Sequence, residues 1–211
     1  MKILYFDTET TGTDPSVHEI TQFAAIVEID GKVIEEVNWK CQPKDWDNIE
    51  PMALQTTGVG IDELKTFQEP EKMYEDILKL FKKYGSKYDK GPLKFYPAGH
   101  NVSFDLDFLN AFFKKYGDAD TKKWGITSWQ NWRALDSRIF ANFLFAVGKL
   151  DTVNVKLSTL CEHYGIEIDA HDALSDIRAT RSLVQRMMEE LDVTKTSQKE
   201  EKVAEEDDLP F

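Results

Sequence analysis

The chain has few cysteines and no long apolar run. Its two cysteines, Cys41 and Cys161, lie far apart and match no CxxC or other metal-ligand spacing. We expect both to be small buried apolar residues, and neither is a good candidate nucleophile. No apolar segment approaches the roughly 18 residues of a membrane span. The apolar part of residues 1–7 is too short for a secretory signal, so a cytoplasmic location without membrane contact is expected.

Basic residues are also in the minority. There are 26 Lys and Arg against 38 Asp and Glu, for a formal net charge of -12. Proteins that hold nucleic acid by neutralising many phosphates are usually basic, so this balance disfavours tight nonspecific binding. The acidic balance does not exclude metal-assisted phosphodiester chemistry. Clustered carboxylates can bind cations, and the bound cations can then contact the phosphate.

The hydrophobic pattern predicts one α/β domain at residues 1–192. Strands are predicted at 2–7, 19–29, 33–42, 93–98 and 134–136, with a tight hairpin at Asp30 and Gly31. Helices are predicted at 71–84, 104–116, 138–147, 157–164 and 173–191. Gly165 is a predicted C-cap and Asp172 a predicted N-cap. The composition of residues 193–211 predicts an acidic, flexible C-terminal tail.

Three motifs carry candidate chemistry. The first is FDTETTG at residues 6–12, where Asp7 and Glu9 are two apart in a strand and therefore share one face. The second, HNVSFD at 100–105, places Asp105 in a first helical turn, whereas Asp107 is expected to point into solvent. The third, HDALSD at 171–176, places His171 in a loop and Asp176 in a helix. Paired carboxylates at a strand end are costly to bury unless hard divalent cations bind them.

The three motifs, in this order and at these separations, resemble the DEDDh (DnaQ-like) branch of the 3′–5′ exonucleases. The resemblance covers roughly residues 1–191 and includes the LSTLCEHYGI helix, in which His163 is interpreted as structural. It implies a ribonuclease-H-like α/β fold with a five-stranded mixed sheet flanked by helices. It also implies metal ligands at Asp7, Glu9, Asp105 and Asp176 and a general base at His171. Arg178 stands where the family often has a small residue, and we expect it to have no part in the chemistry.

The implied mechanism is hydrolysis assisted by two Mg²⁺ or Mn²⁺ ions, with His171 accepting a proton from water. The expected substrate is the 3′ end of DNA, in single-stranded form, and the expected product is a 5′-mononucleotide. A monomer and a homodimer both occur among relatives of this kind. Candidate substrate-binding residues come from the first two motifs and the second strand: Thr10, Thr11, Gly12, Phe23 and Asn101. His100 and Asn101 have a local alternative role at the strand–helix turn, and residues 54–58 are a further candidate contact.

Other functions stay open at this point. An RNA-trimming exonuclease would use the same five catalytic residues, since selection depends on how the site meets the 2′-OH. A noncatalytic nucleic-acid-binding or assembly module is the alternative of another class. A proofreading subunit that needs a polymerase partner for activity is a third.

Two further features admit two interpretations each. Trp124, Trp129 and Trp132, with Arg133, either stack on bases of a single strand or pack a loop on the core, and packing is favoured. The C-terminal tip resembles that of bacterial single-stranded-DNA-binding proteins, and it either docks on a replication or repair protein or only adds solubility. The candidate partner-binding residues are Asp207, Asp208, Leu209, Pro210 and Phe211.

Overall fold

The computed structural model describes residues 1–168 and 172–191. The strands are β1 (Lys2–Thr10), β2 (Ile20–Ile29), β3 (Lys32–Lys40), β4 (Tyr96–Gly99) and β5 (Leu135–Asp136). The helices are α1 (Pro51–Thr57), α2 (Ile61–Leu64), α3 (Pro70–Tyr84), α4 (Val102–Tyr116), α5 (Ala119–Trp124), α6 (Ser137–Ala146), α7 (Leu157–Tyr164) and α8 (Ala173–Glu190). Short 3₁₀ turns lie at Gly91–Leu93 and Gly125–Ser128.

The five strands form one mixed sheet in the order β3-β2-β1-β4-β5. β1, β2 and β3 pair antiparallel, whereas β1, β4 and β5 are parallel. The β2–β3 turn has positive φ at both central residues, 50° at Asp30 and 79° at Gly31, as a two-residue hairpin loop requires. This architecture confirms the expected five-stranded mixed sheet flanked by helices.

The two faces of the sheet carry different cores. Even-numbered residues of β1 face a large aromatic cluster built with α3 and α4, which includes Phe81, Phe108 and Phe113. Odd-numbered residues of β1 face a smaller cluster built with α8, in which small side chains such as Ala173 allow close packing. Strand alternation therefore assigns each β1 side chain to one of two layers.

Most predicted elements are confirmed within one to three residues, and the differences have local causes. β1 continues to Thr10 because β2 pairs with it beyond Asp7. The strand predicted at 93–98 begins only at Tyr96, since residues 91–93 form a 3₁₀ turn after Pro92. Three short helices, α1, α2 and α5, were missed; each has too few turns to show an apolar period. Both cysteines are buried and free, as expected.

The caps predicted from sequence are confirmed. Gly165 ends α7 in the left-handed region, with φ 64°. The Asp172 carboxylate accepts a hydrogen bond of 3.0 Å from the Ser175 N–H at the start of α8. Within the described part of the chain, every helix is too short or too polar to cross a membrane.

Candidate active site

Two carboxylates stand side by side where β1 ends. Asp7 and Glu9 are two residues apart in the strand, so both project from the face on which α8 packs. The first turn of α8 presents Asp176. Carboxylate oxygens of Asp7, Glu9 and Asp176 all lie within 4.8 Å of one another. The fold thus gathers three of the predicted ligands, from opposite ends of the domain sequence, into one acidic cluster.

Asp105 approaches from the opposite face of the sheet. It is buried in the first turn of α4, as predicted. Its Oδ1 accepts hydrogen bonds from the Thr8 backbone N–H at 2.8 Å and from the Thr8 hydroxyl at 2.7 Å. Thr8 lies between Asp7 and Glu9 in sequence but points to the α4 side. Asp105 is therefore held beside the strand end by a residue that the motif analysis did not identify.

The carboxylates share an environment that resists ionisation, with Asp105 buried and the other three half-buried. Burial, followed by the charges of Asp105 and Glu9, raises the pKa of Asp7 well above its ordinary value. Burial, followed by the charge of Asp176, raises the pKa of Glu9 to about 7. Burial also raises the pKa of Asp105 to about 7, against the opposing effect of the Thr8 hydrogen bonds. Simultaneous ionisation of these neighbouring groups is therefore disfavoured at neutral pH.

The donor set of the acidic cluster fits a hard divalent cation. All three side chains offer carboxylate oxygens, which Mg²⁺ and Mn²⁺ prefer over nitrogen or sulfur ligands. A bound cation would also remove the repulsion that raises these pKa values. The residues present therefore fit the divalent metal that the resemblance implies.

Asp136, at the end of β5, holds the starts of two helices. Its carboxylate accepts hydrogen bonds from the N–H groups of Asn101 at 3.1 Å and Val102 at 2.9 Å, where α4 begins. It also accepts from the Arg138 N–H at 2.9 Å, where α6 begins. An N-cap of this kind contributes about 1 kcal/mol per helix. Asp136 thereby fixes the helical turn that carries Asp105. An Asp before an apolar helical period predicts a helix start, as Asp136 does for α6. Its contact with the start of α4 could not be predicted, because that helix lies far away in sequence.

The turn after β1 is tied together internally. The Thr10 hydroxyl donates to the Gly12 carbonyl at 2.6 Å. The Thr11 N–H donates to the Glu19 carbonyl, and the Thr11 hydroxyl accepts from the Glu19 N–H, both at 2.9 Å. A Cβ on Gly12 would lie 2.5 Å from the His18 ring, so any larger residue would require that ring to move. These contacts hold the turn in place, and the role of Thr10, Thr11 and Gly12 in substrate binding stays a prediction.

Phe23 and Asn101 occupy different environments. Phe23 is fully buried, with its ring between those of Phe6 and Trp39, so its predicted contact with a nucleotide is wrong. Asn101 lies beside the site with φ 65°, and its side-chain oxygen accepts a hydrogen bond from Arg138 at 3.0 Å. Asn tolerates this left-handed conformation better than most residues. These contacts give Asn101 a local role at the strand–helix turn, and its contact with substrate stays a prediction.

The remaining predicted residues are exposed, form contacts within the protein, or lie outside the described residues. Asp107 and His163 are exposed, and His100 makes a 2.8 Å hydrogen bond to the buried Ser137 hydroxyl. Arg178 forms an ion pair with Glu36 on β3. The predicted base His171 and the tail residues 207–211 lie outside the described residues.

Comparisons with known proteins agree with this geometry. Residues 4–184 match the sequence pattern of the family RNase_T, described as exonuclease. The chain is 29% identical over 193 residues to a PolC-type DNA polymerase III of Halalkalibacterium halodurans, and 28% identical over 187 residues to that of Bacillus cereus. These matches cover 90% and 88% of the chain but only 11% of each relative.

Solved structures give the same fold. Escherichia coli exonuclease I in complex with a dA16 oligonucleotide has a TM-score of 0.65 and 26% sequence identity, and the match covers 88% of this chain and 41% of that one. Its complex with a dT13 oligonucleotide has a TM-score of 0.68 at 24% identity, covering 93% and 42%. The chain therefore spans about a ninth of its polymerase relatives and under half of exonuclease I.

Proposed function

The chain belongs to the RNase_T exonuclease family, that of the DnaQ-like 3′–5′ exonucleases, and from this premise we propose that it removes nucleotides from the 3′ end of DNA as 5′-mononucleotides. The observation that carries the proposal is the convergence of Asp7, Glu9 and Asp176 within 4.8 Å at the end of β1. Asp105, held by Thr8, completes the set of four carboxylates.

In the proposed mechanism, Asp7, Glu9, Asp105 and Asp176 hold divalent ions, which when bound acidify water and offset charge on the scissile phosphodiester. Thr8 keeps the Asp105 carboxylate in position and favours its ionised form, because its hydrogen bonds lower the pKa of that group. The Asp136 carboxylate fixes the start of α4. His171 accepts the proton of the attacking water, as its ordinary pKa near ~6.5 allows at neutral pH.

The relatives favour DNA over RNA as the substrate. The PolC-type relatives are DNA polymerases, and exonuclease I has been solved with the DNA strand dA16. The competing proposal, RNA 3′-end trimming, would need contacts that accept the 2′-OH. A role as a noncatalytic module is disfavoured, because the carboxylates of Asp7, Glu9 and Asp176 are all present and converge in an arrangement that can bind a metal ion.

The test is digestion of matched 5′-labelled DNA and RNA single strands with Mg²⁺ or Mn²⁺. We expect a ladder that shortens from the 3′ end on DNA and that is lost with chelator and in Asp7→Asn. The matched control is Asp30→Asn, because Asp30 lies at the opposite end of the sheet with φ 50°, which Asn tolerates. A ladder on RNA alone would refute the DNA assignment. No ladder on either strand, even with a polymerase partner added, would refute the enzymatic one.

We also propose that the tip formed by Asp207, Asp208, Leu209, Pro210 and Phe211 docks on a replication or repair protein. Its acidic run followed by an apolar residue, Pro and Phe supports the proposal, since a basic rim and an apolar pocket can capture such an end. Removal of residues 209–211 should abolish capture of such a protein by the full chain, and unchanged capture would refute it. The acidic residues alone would then serve solubility.

A further inference from the structure

The sheet edge that carries the acidic cluster is covered on its β2–β3 side. The Glu50 N–H donates to the Thr11 carbonyl at 2.8 Å, which ties residues 41–50 against the turn at residues 11–19. These two segments together carry five carboxylates, those of Asp14, Glu19, Asp45, Asp47 and Glu50. A nucleic-acid strand, with one negative charge per nucleotide, is repelled by such a surface.

Arg138 lies on the other side of this edge, in the first turn of α6 after β5 ends. The strands β1, β4 and β5 are parallel, so Asp7, Asn101 and Arg138 follow the same row of paired residues by two or three positions. The backbone of Arg138 is two strands away from β1 in the sheet order, but its Nη1 donates to the Asn101 side-chain oxygen at 3.0 Å. Because Asn101 follows β4, the guanidinium reaches one strand, about 4.8 Å, closer to the acidic cluster.

The guanidinium of Arg138 keeps most of its capacity to bind an anion. An arginine side chain offers five N–H donors, and the bond to Asn101 uses one of them. Among the described residues, no carboxylate forms an ion pair with Arg138, whereas Arg178 on α8 pairs with Glu36. The residue is exposed. An exposed guanidinium that a neighbour already orients is suited to phosphate, because its planar fork can donate to two phosphate oxygens at once.

We propose that Arg138 binds a backbone phosphate on the 5′ side of the scissile one and thereby directs the substrate strand away from the acidic cluster over the ends of β4 and β5. This inference rests on the proposed function, which brings a 3′ end to the cluster. Only the leaving nucleotide lies beyond the scissile phosphate, so the rest of the strand extends to one side. The β4–β5 side offers a free cation, whereas the β2–β3 side is covered and acidic. A phosphate contact carries no base information, so it serves strands of any sequence.

The test couples the side chain to one phosphate of a short single-stranded DNA. The strand carries an uncharged methylphosphonate linkage at the first, second or third position on the 5′ side of the scissile bond, and initial release of the 3′ nucleotide gives KM and kcat. For the wild type, one of these positions should raise KM by about tenfold, as loss of a charged hydrogen bond predicts, with little change in kcat. Arg138→Gln should raise the KM of the unmodified strand similarly, and the uncharged linkage should then have no further effect. Arg138→Lys, which keeps the charge but not the fork, should recover part of the loss.

Binding gives a readout that needs no hydrolysis. Asp7→Asn, which the proposed function expects to be inactive, allows the Kd of the unmodified strand to be measured with Mg²⁺. The slope of log Kd against log salt concentration should become shallower by about 0.7 when Arg138→Gln is added, as loss of one phosphate contact predicts for a single strand. The matched control is Arg133→Gln, which removes an equal charge from an exposed residue just before β5 and should change neither the slope nor KM. The melting temperatures should stay at the wild-type value, since both arginines are exposed.

Lys40 is the competing cation on the β2–β3 side. It ends β3 in register with Gln22 and Glu9, and its Nζ lies 5.3 Å from the ring centroid of Phe67. Coupling between an uncharged linkage and Lys40→Gln, in place of Arg138→Gln, would put the strand on that side and overturn the inference. An unchanged KM in Arg138→Gln, with digestion by the wild type intact, would overturn the inference alone. No digestion by the wild type would refute the proposed function, and the inference with it.

Discussion

The two faces of the sheet use the same strand for different purposes. On the α4 face, even-numbered residues of β1 enter a core of large aromatic rings, including Phe6, Phe81 and Phe113. On the α8 face, odd-numbered residues meet small side chains, and at the strand end these positions become carboxylates. The first face is rich in favourable contacts, whereas the second ends in groups that repel one another. The aromatic layer on the α4 face therefore stabilises the fold that holds the mutually repelling carboxylates together.

The largest expected effect comes from removing one carboxylate of the acidic cluster. Asp176→Asn should lower kcat/KM by about 10³-fold or more, which corresponds to ~4 kcal/mol of transition-state stabilisation. The melting temperature in chelator should not fall, because one of several mutually repelling charges is removed. Steady-state digestion and thermal unfolding measure the two quantities. A variant that melts early would show that the cluster is structural.

The aromatic layer should respond in the opposite way. Phe113→Ala removes a fully buried ring that contacts those of Tyr74 and Phe81. We expect a loss of about 3–5 kcal/mol in the free energy of unfolding. The kcat of the folded protein should stay within about twofold of the wild-type value. Denaturant titration and digestion at low temperature test both statements, and a large fall in kcat would mean that the two layers are not separable.

Thr8 is the connection between the layers. Thr8→Val keeps the strand-forming shape but removes the hydroxyl that donates to Asp105 at 2.7 Å. Loss of a group that orients a metal ligand typically lowers activity by about 10- to 100-fold. The pKa of Asp105 should rise further, so the acidic limb of the pH–rate profile should move to higher pH. Thr8→Ser, which retains the hydroxyl, should restore both. If valine and serine behave alike, the connection is only steric.

The smallest effect concerns stability against pH. The folded-state pKa of Glu9 is raised to about 7 from an ordinary value of 4.5. Glu9 therefore favours folding below about pH 4.5, and this contribution is lost as the pH rises through about 7. In chelator, the melting temperature of Glu9→Gln relative to wild type should increase between pH 5 and pH 8.

Metal should reverse that trend. A cation present at about 100 times its Kd would add about 2.7 kcal/mol of stability at neutral pH. Thermal scans with Mg²⁺ at pH 5 and pH 8 should show the larger stabilisation at pH 8, where the ligands are ionised. Equal stabilisation at both values would contradict the assignment of these carboxylates as ligands.

Sequence patterns predicted the parts of this comparison that depend on local spacing. Asp7 and Glu9 share a face because strands alternate, and Asp105 and Asp176 lie in first turns because their motifs precede apolar helical periods. The strand order could not be read in this way, since it depends on which strands pair across long separations. The family resemblance supplied only the five-stranded mixed sheet, and the structure gives the order β3-β2-β1-β4-β5.

The supporting residues were less predictable. Thr8 appears in the motif only as the residue between two acids, and its bond to Asp105 depends on α4 packing against the other face. Phe23 was misassigned because a buried ring and a substrate-facing ring look alike in a strand sequence.

The shared carboxylate of Asp136 has a mechanical consequence. α4 and α6 begin on one anchor, so neither helix can shift at its first turn without releasing N–H groups of the other. The exposed face of α6 includes Ile139 and Phe143, which are apolar. A load applied to that face would reach the turn that holds Asp105 through Asp136 and through the Arg138–Asn101 and His100–Ser137 hydrogen bonds. We therefore expect the position of Asp105 to respond to forces that act on α6, outside the acidic cluster.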